Sequence, residues 1–154
     1  MPNAKVKVKV AAQLDDIQQR IMDLQNALRE FQETGHCRGC ENSIRMLENQ
    51  VADLSWFFLA TKPELLKQHI LPQLNKLRTW VDQPDAVPNV HQVIGDLMTK
   101  SAYEFLLLKD RVWDDAFWVQ VERGWTEQSA SLNWPPSLYK RAEKGYKEAL
   151  SARP

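Results

Sequence analysis

Apolar residues recur at alternating intervals of three and four over residues 11–34. They are Leu14, Ile17, Ile21, Leu24, Leu28 and Phe31. After Gly35 and Gly39, the same interval returns in Ile44, Leu47, Val51, Leu54 and Phe58. Such spacing places one apolar stripe along an α-helix, and glycine favours a helix ending. The pattern therefore predicts two amphipathic helices separated by a short turn.

The two stripes can be paired from the turn outward. Phe31 then faces Ile44, and each following pair joins an a position of one heptad run to a d position of the other. This is the register of an antiparallel coiled coil. We therefore expect an αα-hairpin over residues 11–60, with its tip between Cys37 and Arg38.

The remainder of the chain, residues 61–154, also has helical periodicity. Thr61 and Glu64 match a capping box that would start a helix, and Pro72 should kink that helix. A longer stripe runs from Val90 toward Arg123, with a break expected near Lys109 and an end at Gly124.

A final helix is predicted to begin at Pro135 and Pro136. With the hairpin, these segments predict an all-α helical bundle that contains three or four further helices. We expect residues 11–154 to form a single domain.

The first ten residues break the helical pattern. Lys5, Lys7 and Lys9 alternate with valines, and no acidic residue lies among them. Alternation with a period of two is typical of a strand, but no partner strand is predicted. We therefore interpret residues 1–10 as a flexible basic tail.

The charge balance and the absence of known motifs limit the function classes. Basic and acidic residues both number 20, so no overall field attracts the chain to nucleic acid or lipid. The sequence has no secretory pattern and no apolar run of about 18 residues, which predicts a cytoplasmic protein without a membrane segment. It also lacks the motifs of nucleotide binding, serine hydrolysis and zinc proteolysis, so we expect a non-enzymatic protein.

Both cysteines of the chain lie at the predicted hairpin tip, in "GHCRGC". The two-residue spacing between Cys37 and Cys40 lets both thiolates bind one zinc ion. Zinc requires four ligands, and the neighbouring His36, Glu33 and Glu41 do not complete a recognisable set. Two chains that each contribute one cysteine pair are the simplest solution.

In this respect the tip resembles the zinc hook of the coiled-coil ATPases of DNA double-strand-break repair. The resemblance implies Cys37 and Cys40 as metal ligands and zinc as the cofactor. Two alternatives stay open. The cysteines could cycle between dithiol and disulfide, favoured by the helix start at Cys40, or could be incidental residues of a turn without any cofactor.

Tryptophan is unusually frequent in the second half of the chain. Of the six tryptophans, Trp113, Trp118, Trp125 and Trp134 follow residue 110. Trp113 and Phe117 share one helical stripe, whereas Trp118 points about 100° away from Phe117. Large aromatics mostly serve cores, whereas a group exposed together marks a protein-binding surface. We take these four residues as the predicted partner-binding site.

These features together predict an adaptor or scaffold. It would self-associate through its hairpin into a homodimer or higher oligomer and bind another protein through its aromatic C-terminal half. The alternative is a nucleic-acid-binding accessory subunit, whose contacts would come from the first residues and the last helix. Its predicted contact residues are Lys5, Lys7, Lys9, Lys140, Arg141, Lys144 and Lys147. A zinc-binding or thiol-redox protein is the third hypothesis.

Overall fold

The computed structural model describes residues 2–34, 37 and 39–153, and all regular structure in these ranges is helical. This confirms the predicted all-α class. The helices are α1 (Pro2–Thr34), α2 (Cys40–Asp53), α3 (Ser55–Thr61), α4 (Leu71–Asp82), α5 (Val90–Lys109), α6 (Asp115–Gln128) and α7 (Pro136–Ala152). A π-helical turn, Leu65–Ile70, leads into α4, and short 3₁₀ turns cover Pro84–Ala86 and Ser129–Leu132.

Helix α1 is the central element of the bundle. It packs against α2, α5 and α7 along the apolar stripe that the sequence predicts, and that stripe is buried from Leu14 to Leu28. Residues 2–10 are the first turns of this same helix, which corrects the predicted tail. The physical reason is that Val6 and Val10 extend the stripe by helical spacing and are both buried.

Helix α2 returns along α1 and buries its own stripe, including Ile44, Leu47 and Val51. The stripe then passes into a separate short helix, α3, because the helix changes direction at Leu54. Almost all of α3 is buried, since it also packs against α6 and α7. The a-to-d pairing of a coiled coil stays a prediction.

Two predicted helix boundaries are wrong. Thr61 ends α3 instead of starting a helix, and its hydroxyl donates to the carbonyl oxygen of Phe57 at 2.7 Å. Gly124 lies inside α6, where it allows the close approach of another helix. At Gly124 a tertiary contact with α3 overrides the local signal, whereas the hydrogen bond of Thr61 lies within α3 itself.

Other boundaries agree with the sequence. Helix α5 ends at Lys109, where a break is predicted, and α7 begins at Pro136. Asp114 caps α6 by accepting a hydrogen bond from the backbone N–H of Phe117 at 2.9 Å. The turn between α5 and α6 therefore directs the chain from the outer face of the bundle to its aromatic core.

Candidate interaction surfaces

A disulfide joins Cys37 to Cys40, the first residue of α2, at the predicted hairpin tip. The Cα atoms are 5.6 Å apart, within the normal range for this bond. Gly39 adopts a left-handed conformation, with φ of 78°, immediately before α2 begins at Cys40. Cys40 is buried and Cys37 is half-buried, so the bond is largely shielded at the start of α2.

The metal hypothesis concerns residues on both sides of this bond. Of the predicted neighbours, His36, Arg38 and the side chain of Glu33 lie outside the described residues. Within the described part of the chain, no three histidine, cysteine or acidic side chains gather as a metal-binding group. A zinc ion shared between two chains stays a prediction, as does redox cycling of the pair.

The predicted tryptophan surface is not present as an exposed patch. Trp113, Trp118 and Trp125 are buried, and Trp134 is half-buried. Trp113 stacks on Phe117 with ring centroids 4.4 Å apart, within a group of rings that α3 and α6 share. The partner-binding assignment is therefore corrected, because these side chains form the core between the hairpin and the C-terminal helices.

Trp125 stabilises the contact between α6 and α7. Its ring stacks on Tyr146 at a centroid distance of 4.8 Å. Burial, followed by the nearby Glu122 carboxylate, raises the pKa of Tyr146 above its ordinary value. Both effects disfavour the phenolate, so this residue serves as a neutral packing group.

The outer face of α5 exposes three large apolar residues that the sequence pattern did not indicate. Tyr103, Leu106 and Leu107 are 65%, 64% and 52% exposed, although they are large apolar residues. Leu106 and Leu107 follow Tyr103 by three and four positions, so both are its neighbours on the helix surface. We call these three residues the α5 apolar face. The sequence feature that could have indicated this face is the run "FLLL", because consecutive apolar residues cannot all lie on one buried stripe of a helix.

A groove lies between α1 and α7. Its volume is about 410 Å³, and Lys9, Arg141, Lys144 and Glu148 line it. The Glu148 carboxylate lies 4.0 Å from the ammonium groups of both Lys9 and Lys144. The fold thus brings together the N-terminal and C-terminal basic residues that the sequence placed at opposite ends of the chain.

Lys7 is the exception among those residues. Lys5 and Lys9 are four positions apart and share one side of α1, whereas Lys7 points about 160° away from each of them. Lys140 and Lys147 lie on the exposed outer side of α7, beside Lys144. Six of the seven predicted cations therefore belong to one surface.

A polar cluster joins the π-helical turn to α5. Glu104 is buried and forms an ion pair with Lys62. His69 lies against the same helix, where burial and the positive charge of Lys100 lower its pKa despite a hydrogen bond with the backbone of Asp96. These contacts fix α5 in position, and they account for the polar residues on the inner side of a helix whose outer side is apolar.

The comparisons with known proteins give no relative. No family model, curated protein or solved structure matches this chain. Among the helices of the described residues, none is long and apolar enough to cross a membrane.

Proposed function

We propose that this protein is a self-associating helical scaffold without enzymatic activity, and that two copies meet through the α5 apolar face. The observation that carries this proposal is the exposure of Tyr103, Leu106 and Leu107 on adjacent positions of one helix. Grouped large apolar side chains at a surface mark interaction sites, whereas scattered ones do not. In this proposal the interaction surface is the α5 apolar face and not the tryptophans.

A second copy fits the surface because the arrangement is self-complementary. A two-fold axis can relate two antiparallel copies of one helix. A residue on one side of that axis then faces, in the other copy, the residue that lies equally far from the axis on the other side. Tyr103 and Leu107 lie equally far from Phe105 along the chain. An axis level with Phe105 would therefore place Tyr103 of each copy against Leu107 of the other.

The charges beside the face follow the same symmetry. Lys100 and Asp110 are both exposed and also lie equally far from Phe105. The same axis pairs the ammonium group of each Lys100 with the carboxylate of the other copy's Asp110. Opposite charges at equivalent positions favour this register, since every displaced register loses two ion pairs at once.

The expected dimer is weak. Specific stable interfaces bury roughly 1,200 Å² or more, and three apolar side chains from each copy supply less than this. We expect a dissociation constant of about 10 μM to 1 mM. Such an affinity suits a scaffold that assembles when its local concentration rises.

Leu106→Glu tests the proposal. The substitution places a charge in the middle of the face on both copies, and an unpaired charge at an interface is costly. In sedimentation equilibrium we expect the wild type to rise above the 17.9 kDa monomer as concentration increases, and Leu106→Glu to stay at the monomer mass.

Val119→Glu is the matched control, because Val119 is 61% exposed but lies on α6. This variant should self-associate like the wild type. A wild type that stays monomeric up to about 1 mM contradicts the proposal, since that concentration is the upper limit expected for a weak interface. Equal loss of association in both variants would also contradict it, because the effect would then be one of surface charge alone.

A further inference from the structure

The cations at the α1–α7 groove exceed the carboxylates that accompany them, although the whole chain has no net charge. Lys9, Lys140, Arg141, Lys144 and Lys147 line this surface, and Lys5 precedes Lys9 by four positions on the same side of α1. The acidic side chains among them are Asp53, Glu143 and Glu148. We define these residues as the basic groove.

The three carboxylates are not equivalent. Asp53 accepts two hydrogen bonds from the Arg141 guanidinium, at 3.0 and 2.7 Å, and so fixes α7 to the end of α2. Glu143 pairs with Lys147 along α7 at 3.5 Å. Glu148 alone stands between two lysines of different helices, Lys9 and Lys144.

We propose that the basic groove binds the phosphate backbone of a nucleic acid, and that Glu148 occupies the phosphate position in the free protein. An exposed ion pair at 4.0 Å contributes little, so a phosphate can displace the carboxylate at low cost. Lys9 and Lys144 would then both turn to the bound phosphate. Lys5, Lys140 and Lys147 extend the contact along the two helices.

The surface fits a nucleic acid better than a lipid membrane. A helix that lies in a membrane interface inserts a row of large apolar side chains beside its cations. The apolar side of α7, including Leu138, Ala142 and Ala149, is instead buried in the bundle. What remains exposed on α7 is mainly charged, and phosphate contacts of this kind bind without reading base sequence.

The test measures the fluorescence anisotropy of a fluorescein-labelled 20-nucleotide single strand and of the corresponding duplex. We expect binding that weakens about 30-fold between 50 and 200 mM salt, as three neutralised phosphates predict. The double variant Lys5→Glu with Lys140→Glu should weaken binding at least about 10-fold at low salt.

The matched control is Lys7→Glu with Lys76→Glu, which makes the same charge change away from the groove. Lys7 points to the other side of α1, and Lys76 is exposed on α4. This control should retain most of the affinity. Glu148→Gln should bind about three- to fivefold more tightly, since it frees two lysines and removes a negative charge.

Three results would overturn the inference. The first is no binding of either probe at 50 mM salt, and the second is equal loss in the two double variants. The third is binding of polyglutamate, or of vesicles that contain phosphatidylserine, as tightly as the nucleic acids at equal charge concentration. Leu106→Glu should bind nucleic acid normally, because the basic groove belongs to a single chain and does not depend on the α5 apolar face.

Discussion

Replacing Phe57 with alanine is expected to lower the free energy of unfolding by about 3–5 kcal/mol. Phe57 is fully buried in α3, and its ring contacts those of Trp113 and Phe117 at centroid distances of 5.9 and 6.2 Å. Removal of the ring loses apolar burial and leaves a cavity that rigid neighbouring rings cannot fill. Because domains of this size are stable by about 5–15 kcal/mol, the loss would be a large share of the total.

Chemical denaturation at a few micromolar protein measures this effect. Tyr103→Ala is the aromatic control, because it removes a similar ring from an exposed position on α5. We expect its free energy of unfolding to stay within about 0.5 kcal/mol of the wild type. Similar losses in the two variants would mean that Phe57 is not at the centre of the core.

Gly145→Ala should destabilise the protein, whereas the same change at Gly95 should stabilise it. A Cβ atom at Gly145 would overlap the backbone carbonyl oxygen of Asp53, where α7 crosses the end of α2. Backbone cannot move aside as a side chain can, so we expect a loss of about 1–3 kcal/mol. At Gly95 no atom lies within 4 Å of the added Cβ, and alanine favours the helix by about 0.5–1 kcal/mol.

The two glycines thus predict opposite shifts of the denaturation midpoint for one chemical change. Gly124→Ala extends the comparison, since its Cβ would lie 2.6 Å from the carbonyl oxygen of Leu59 where α6 crosses α3. It should behave like Gly145→Ala. A stabilising effect at Gly124 or Gly145 would contradict the close crossings on which the packing of α6 and α7 depends.

The hydrophobic period predicted most of the helices, but neither the helical start at residues 2–10 nor the roles of the glycines. Periodicity reports which face of a helix is buried, and so it correctly predicted the stripes of α1 and α2, whereas the two prolines indicated the start of α7. A glycine inside a helix has the same local signal whether it ends the helix or allows a close crossing. For Gly124 only the position of α3 decides between these, and that information is tertiary.

The site residues likewise fall into those that the sequence indicates and those that only the fold reveals. The sequence could identify the basic residues of both termini, but only the fold shows that Lys9 meets Glu148 and that Lys7 points elsewhere. The tryptophans were assigned to a surface because composition does not reveal how many helices will surround α6. The α5 apolar face was missed because only the stripe with Phe105 and Leu108 was assigned, and the apolar residues outside that stripe were given no role.

In the proposed dimer, two copies meet in one register through α5. Charge reversal at Lys100 and Asp110 tests that register most directly, with the dimer dissociation constant measured by sedimentation equilibrium. Lys100→Asp and Asp110→Lys should each weaken the dimer about 5- to 30-fold, because each change affects two symmetric ion pairs worth about 0.5–1 kcal/mol apiece. The double variant should recover the wild-type value, since it restores both pairs with the charges exchanged. Additive losses in the double variant, with no recovery, would contradict the account.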